Sequence, residues 1–272
     1  MTIEQLHEIL YELLCRIDDA CRKENVKYFL SCGTQLGAVR EGDFIPWDDD
    51  LDLEVMAEDY ADFKHALEKH LPSYIKVVEP NMLSPQFRLF IVRVIDTRYV
   101  ISAPKFPGDS VIARYAKADV FISSRAPHSL FTRKMLFLHH RILYGLGMGH
   151  RVNLDIHKFH GMRKAQVMVL SFLGRFIPMR FIYKIHWKTQ FWNQKQEHPY
   201  VYYGSFHLCF PFFPSNCYEV SFRPIRDRQF PVPKGFDTIL TGIYGNYMVP
   251  ERDSAKYAQH LIPQTDSEDQ LD

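Results

Sequence analysis

Several things are scarce in this chain. Its five cysteines are an odd number spread over 272 residues, with no Cys-x-x-Cys among them. That argues against a disulfide scaffold and for reduced thiols. His207, Cys209 and Cys217 fall close together but lack a fourth ligand and regular spacing, so they do not read as a zinc site. No apolar run reaches the roughly 20 residues of a spanning helix. The nearest, Val167 to Leu173, is cut off by Arg175, Pro178 and Arg180. The N-terminus has no basic stub followed by an apolar core, so no signal peptide is expected and the expected location is cytoplasmic. Internal repeats and recognised nucleic-acid-binding motifs are also missing, which argues against a nucleic-acid partner.

Net charge is scarce too, at +1, but it is unevenly spread. Residues 125–200 hold 13 Lys or Arg against 2 acids, and the rest of the chain holds 20 against 30. A basic middle therefore sits beside an acidic body whose densest point is Asp48-Asp49-Asp50-Leu51-Asp52. Such a division points to an anionic partner for the middle segment. With 46% hydrophobic and 24% charged residues, the chain has the composition of a folded domain that can bury a core.

Thr2 and Gln5 predict a capping box, and Leu6, Ile9, Leu10, Leu13, Leu14, Ile17 and Cys21 recur at helical spacing up to a stop at Asn25. Strands are expected at Val26–Leu30, Leu51–Val55, Ile75–Glu79 and Val120–Ser123. A strand pair, Phe87–Ile95 and Tyr99–Ser102, is expected around Asp96-Thr97-Arg98. Helices are expected at Gln35–Val39 and Glu58–Lys69. The order predicts an α/β fold with a mixed sheet and helices packed on it. Basic, aromatic-rich helices follow at Ser129–Leu146, Arg163–Leu173 and Met179–Gln196. Strands are then expected at Val201–Cys209 and Val220–Ile225, and a last helix at Phe236–Tyr244. The expected layout is one domain over 1–272. It has a core at 1–125, a basic helical insertion at 126–200, a closing part at 201–263 and a flexible acidic tail at 264–272.

The chemistry concentrates between Gly33 and Asp52. Gly33-Thr34 lies where a strand gives way to a short helix, and free N–H groups at a helix start suit phosphate. Arg40 adds a bidentate positive charge. Along an extended strand, Asp50 and Asp52 share a face, and Asp48 joins them if the strand begins early. Two or three carboxylates on one face repel unless a cation compensates, and hard oxygen ligands suit Mg2+ or Mn2+. Each part alone has a plainer reading, as an ordinary turn or a solvated acidic loop. A calcium loop is a further reading of Asp48, Asp50, Asp52 and Asp59, but Leu53 stands where that loop needs glycine.

The stretch Gly33-Thr-Gln-Leu-Gly-Ala-Val-Arg-Glu-Gly-Asp-Phe-Ile-Pro-Trp-Asp-Asp-Asp-Leu-Asp52 closely resembles the signature of the LicD-type phosphorylcholine transferase family, fukutin-like proteins of the polymerase-β nucleotidyltransferase superfamily. Tyr28-Phe29-Leu30 and Asp59-Tyr60 resemble its flanks. Pro231-Val-Pro233-Lys-Gly235-Phe-Asp237, Leu240, Tyr244-Gly245, Tyr247, Pro250, Arg252 and His260 resemble its closing pattern. The resemblance implies a polymerase-β-type mixed sheet. It implies a metal site at Asp50 and Asp52, with Asp119 on a neighbouring strand as third acid and base, and Asp48 as a further ligand. Gly33, Thr34, Arg40 and Trp47 would address substrate. The implied reaction passes phosphocholine or a similar group from a CDP-linked donor to a glycan, of the lipopolysaccharide or teichoic acid kind. Nucleotidyl transfer, glycosyl transfer through Asp50-Leu51-Asp52, and a binding protein that kept the fold stay open as alternatives. The basic middle reads as a subdomain covering the site, as a surface for an anionic membrane or as a binding surface for phosphate-rich acceptors.

Overall fold

The computed structural model describes residues 1–80, 89–102, 111–151, 154–192, 198–203 and 212–250. Helix α1 (Ile3–Lys23) opens on the expected capping box: the Thr2 side chain accepts from the Gln5 N–H, and the Gln5 side chain accepts from the Thr2 N–H. Leu6, Leu10, Leu13, Leu14, Ile17 and Cys21 are buried along one face. Just beyond its end, Asn25 adopts φ 53°, a left-handed conformation that Asn tolerates better than most side chains.

The next elements are β1 (Phe29–Leu30), α2 (Cys32–Arg40), β2 (Leu51–Met56), α3 (Tyr60–His70), β3 (Ile75–Val78), β4 (Val92–Val100) and β5 (Tyr115–Ala126). The fold is α/β, with a mixed sheet in the order β1-β2-β5-β4-β3. Among the described strands only the β2–β5 pair is parallel; the intervening α3, β3 and β4 supply the crossover that parallel neighbours require. Strands β6 (Tyr200–Tyr203) and β7 (Phe213–Pro214) extend the sheet from the last residues of β5. Leu51, Leu53 and Val55 of β2 and Ala118, Val120 and Ile122 of β5 join the face of α1 in the main core. Alternation then sends Asp52, Glu54 and Met56, with Asp119, Phe121 and Ser123, to the opposite face.

Two expectations are corrected. Asp96-Thr97-Arg98 is not a turn between two strands, because β4 runs through it as one strand whose pairing with β5 shifts between Asp96 and Val100. Asp96 accepts from the Arg98 backbone and guanidinium, and that guanidinium lies 4.1 Å from the Tyr74 ring centroid. The local contacts thus close a bulge rather than a hairpin. Phe87, the expected start of the first strand, is outside the described residues. The second correction is a strand that was not expected. Beside β8 (Val220–Ile225) runs β9 (Arg228–Pro233), despite Pro231 and Pro233. Proline argues against a central strand, but β8–β9 is a separate two-stranded ladder, where every strand is an edge.

The basic middle forms α4 (Leu130–Gly147), α5 (Gly161–Gly174) and α6 (Met179–Gln190). Helices α4 and α5 meet backbone to backbone: a Cβ on Gly174 would lie 1.9 Å from the Leu146 carbonyl oxygen. Gln190 fastens α6 to the sheet, its side chain donating to the Ile122 carbonyl at 2.5 Å and its own carbonyl accepting from Ser124 Oγ at 2.8 Å. Helix α6 ends at Gln190 rather than Gln196, and 193–197 lie outside the described residues. Helix α7 (Phe236–Tyr244) forms as expected. The far part of the expected strand Val201–Cys209, His207 and Cys209 of the zinc reading, Arg252, His260 and the tail 264–272 are also outside the described residues.

Candidate metal centre

The acidic residues converge because three pieces of backbone are held together. Residues 43–48 run along α2 so closely that a Cβ on Gly37 would meet the Asp43 carbonyl oxygen at 2.6 Å and the Ile45 nitrogen at 3.0 Å. Pro46 is the second residue of a turn in which the Asp48 N–H donates to the Ile45 carbonyl at 2.9 Å. His7 of α1 stacks on Phe44 and places Nε2 2.7 Å from the Asp48 carbonyl oxygen. Asp48, Asp49 and Asp50 then each offer a carboxylate oxygen, all within 4.8 Å of one another. Asp49 is 4% exposed and was missed in the sequence. Alternation would have sent it to the other face, but β2 begins only at Leu51 and residues 48–50 have no regular structure.

Asp52 continues the group on β2, and parallel register sets it directly opposite Asp119 on β5. Neighbouring strands lie only about 4.8 Å apart. Thr34 Oγ1 accepts from the Asp52 N–H at 2.8 Å. Burial pushes the Asp52 carboxyl well above the usual range, and the charges of Asp50, Asp48 and Asp119 add to this, while the Gly33 N–H opposes it. Asp48 is pushed up to about 8, first by burial and then by Asp50, with which it shares a hydrogen bond, and by Asp49. Asp48 and Asp52 thus hold their protons more tightly because of the carboxylates around them. A hard divalent cation is the partner such a donor set fits.

The other expected residues divide. Gly33 lies against the cluster: a Cβ there would fall 2.3 Å from Asp48 Oδ2. The N–H at this helix start is directed to Asp52, so the protein's own carboxylate occupies part of the expected phosphate cradle. Arg40 bonds elsewhere than to the cluster's carboxylates. It ends the same helix roughly 10 Å further along, its Nε on Glu41 at 2.6 Å and Nη1 on the Tyr247 carbonyl at 3.0 Å. Trp47 packs beside Leu36, Ile45, Leu240 and Tyr247.

Nothing in the sequence placed three further groups near the acids. Arg93 of β4 pairs with Asp119, Nε to Oδ1 at 2.8 Å. Glu54 is fully buried two residues beyond Asp52 and accepts from Ser123 Oγ and from Tyr203 OH, the latter at 2.7 Å. Burial pushes it up to about 7 against those hydrogen bonds. Tyr244, at the end of α7, is 43% exposed in all. Burial at its hydroxyl end, then the charges of Cys32, Asp52, Asp48 and Asp50, push its pKa up.

Gly33→Ala provides a local test of Asp48. The new methyl displaces a side-chain tip, not backbone, so thermal stability is expected to stay close to that of the parent chain. Asp48 must rotate out of the cluster, and Mn2+ affinity measured by calorimetry is expected to fall about 10- to 100-fold. An unchanged affinity would remove Asp48 from the ligand set.

Residues 25–85 match the family described as LicD/FKTN/FKRP, nucleotidyltransferase domain. Over 271 residues the chain is 23% identical to the lipopolysaccharide cholinephosphotransferase LicD of Haemophilus influenzae, covering 93% of this chain and 94% of that protein. An uncharacterized protein of Rickettsia typhi is 45% identical over 58 residues, and one of Rickettsia prowazekii is 48% identical over 50. The chain spans about a fifth (19%) of each rickettsial protein, in contrast to its near full-length match with LicD.

Proposed function

We propose that this chain, which belongs to the LicD family, is a divalent-metal-dependent transferase moving phosphocholine or a similar phospho-alcohol from a CDP-linked donor to a glycan hydroxyl. The observation that carries the proposal is the pairing of Asp52 with Asp119 across parallel strands, with Asp48, Asp49 and Asp50 delivered to the same end by the preceding loop. The transferred group and the acceptor rest on the likeness to the Haemophilus enzyme, a lipopolysaccharide cholinephosphotransferase by name.

Asp48, Asp50, Asp52 and Asp119 would hold Mg2+ or Mn2+, with Asp49 beside them. Bound there, the cation would supply positive charge to the donor pyrophosphate. The Arg93 guanidinium donates to Asp119 Oδ1 and so helps to fix its direction. A carboxylate so positioned takes the proton as the sugar oxygen bonds to phosphorus and the phosphorus–oxygen bond to CMP breaks. CMP leaves with the electron pair of that bond. Gly33 and Thr34 hold Asp52 from the helix side, and this rigidity keeps the geometry ready before substrate arrives. The reading keeps the enzyme in the cytoplasm, where nucleotide-linked donors are made.

The test is a donor screen by mass spectrometry with Mg2+. It compares CDP-choline, CDP-ethanolamine, CDP-ribitol, CDP-glycerol, nucleotide sugars and NTPs, with Asp50→Ala as control. CMP release from one CDP-alcohol, lost in the control, is the expected result. Pyrophosphate release from an NTP would replace the reading with nucleotidyl transfer, and release of a nucleoside diphosphate from a nucleotide sugar with glycosyl transfer.

A further inference from the structure

Helices α4 to α6 show apolar side chains where a water-facing surface should be polar. On α4, Phe131, Met135, Leu138 and Ile142 fall at intervals of four, three and four residues, so they form one stripe along the helix, and all four are exposed. On α5, Val169, Phe172 and Leu173 are 48–59% exposed, and Phe176 just beyond is 73% exposed. On α6, Phe181 and Ile185 are exposed, and so is Trp192 beyond its end. An open groove of about 460 Å³ runs between α4 and α6, lined by Met135, Leu136, Ile185 and Trp192, with Lys188 at its side. Single exposed apolar residues are ordinary, but stripes on three adjoining helices are not.

Charge narrows the choice of what covers this surface. Residues 129–192 hold eleven Lys or Arg and a single acid, Asp155. That acid accepts from the His157 N–H. The cations therefore have almost no acids of their own within the segment. Arg180, Lys184 and Lys188 are exposed on α6 between its exposed apolar residues. A protein partner or a second copy of this chain would have to offset that charge as well as cover the apolar stripes. A second copy would bring the same excess of positive charge. A bilayer with anionic headgroups offers both an apolar layer and a negative plane.

The helices are built to lie on such a surface rather than to cross it. Among the described residues no single helix is long and apolar enough to span. Helices α5 and α6 pass that test only together, and they are bent by 113°. The end of α4 and the turn after it approach α5 closely through Gly145, Gly149, Ser171 and Gly174. Helix α6 is fastened to β5, the strand that carries Asp119, through Gln190.

We propose that the exposed face of α4, α5 and α6 docks peripherally on a lipid bilayer rich in anionic headgroups. The apolar stripes enter the headgroup layer and Arg180, Lys184 and Lys188 face the lipid phosphates. The docking does not depend on the proposed reaction. It would keep the acidic centre near lipid-borne acceptors.

The test is co-sedimentation of the full chain with vesicles of phosphatidylcholine alone, or of phosphatidylcholine with phosphatidylglycerol, at low and high salt. Binding to the anionic vesicles is expected to be about tenfold or more stronger, and to weaken with salt. Arg180→Glu with Lys184→Glu should abolish the preference for anionic lipid. Phe131→Ser with Phe176→Ser should weaken binding several-fold while the remaining binding stays salt-sensitive. All four positions are exposed, so circular dichroism is expected to be unchanged. Asp52→Asn should bind vesicles as the parent does, which separates this proposal from the fate of the transferase reading. No vesicle binding, or equal binding to neutral vesicles, overturns the proposal. So does a concentration-dependent dimer by light scattering that the Phe131→Ser, Phe176→Ser chain loses while vesicle binding is unaffected.

Discussion

Asp52→Asn is expected to lower donor turnover by about 10³-fold or more, roughly 4 kcal/mol of transition-state stabilisation, while raising the melting temperature of the metal-free protein by several degrees. The two effects share one cause. Asp52 is 8% exposed and faces the charges of Asp50, Asp48 and Asp119. Asparagine keeps the shape and removes the charge. The fold is relieved of repulsion and the cation loses a ligand. The sign of the pH dependence follows. Asp48 and Asp52 have folded pKa values above the usual carboxylate range, and that of Asp48 is about 8. Such groups contribute stability that is fully present below their unfolded pKa, about 4. It is lost as pH rises toward the folded value. Metal-free protein should therefore melt lower at about pH 9 than at about pH 5. Mg2+ should reverse much of that loss, since it binds the deprotonated site. Melts at both pH values, with and without Mg2+, check this. Undiminished turnover in Asp52→Asn would remove Asp52 from the site, and a lower metal-free melting temperature would show that Asp52 supports the fold instead.

The parts of the fold that could be read from the sequence are those with a local signal. The capping box, the apolar face of α1 and the alternation that buries Leu51 and Leu53 each depend on a few residues close together in the chain. The acidic run was visible for the same reason. What was not visible depends on register. Nothing near Arg93 announces that it pairs with Asp119; the β4–β5 ladder does that. Glu54 looks like any strand acid until β6 brings Tyr203 over it. Arg40 reads as a phosphate ligand from its bidentate positive charge, and nothing near it in the chain announces its bond to the Tyr247 carbonyl. Asp96-Thr97-Arg98 has turn composition, and only its pairing with β3 and β5 shows that the strand continues. Local rules thus located the acids. Long-range pairing decided which of them meet and what holds them.

Arg93→Met is expected to destabilise the metal-free protein by about 3 kcal/mol, and Mg2+ to recover a large part of that loss. Arg93 and Asp119 are cross-strand partners with side chains 8% and 13% exposed. Removing one member of so buried a pair takes away part of its partner's charge compensation, a loss of the kind that costs about 3–5 kcal/mol when complete. The size of the loss alone would not distinguish a structural ion pair from a metal centre. The recovery does. If Asp119 belongs to the same site as Asp52, a cation held there also faces Asp119 and takes over part of the compensation Arg93 supplied. The variant should then show a larger Mg2+-induced rise in melting temperature than the parent chain. Arg93→Met combined with Asp119→Asn separates the contributions: it should regain stability without metal and lose the extra response to Mg2+. Equal Mg2+ responses in the parent and Arg93→Met would mean that the cation does not reach Asp119. The metal set would then be confined to Asp48, Asp49, Asp50 and Asp52, and the proton acceptor would have to be sought elsewhere on the same face.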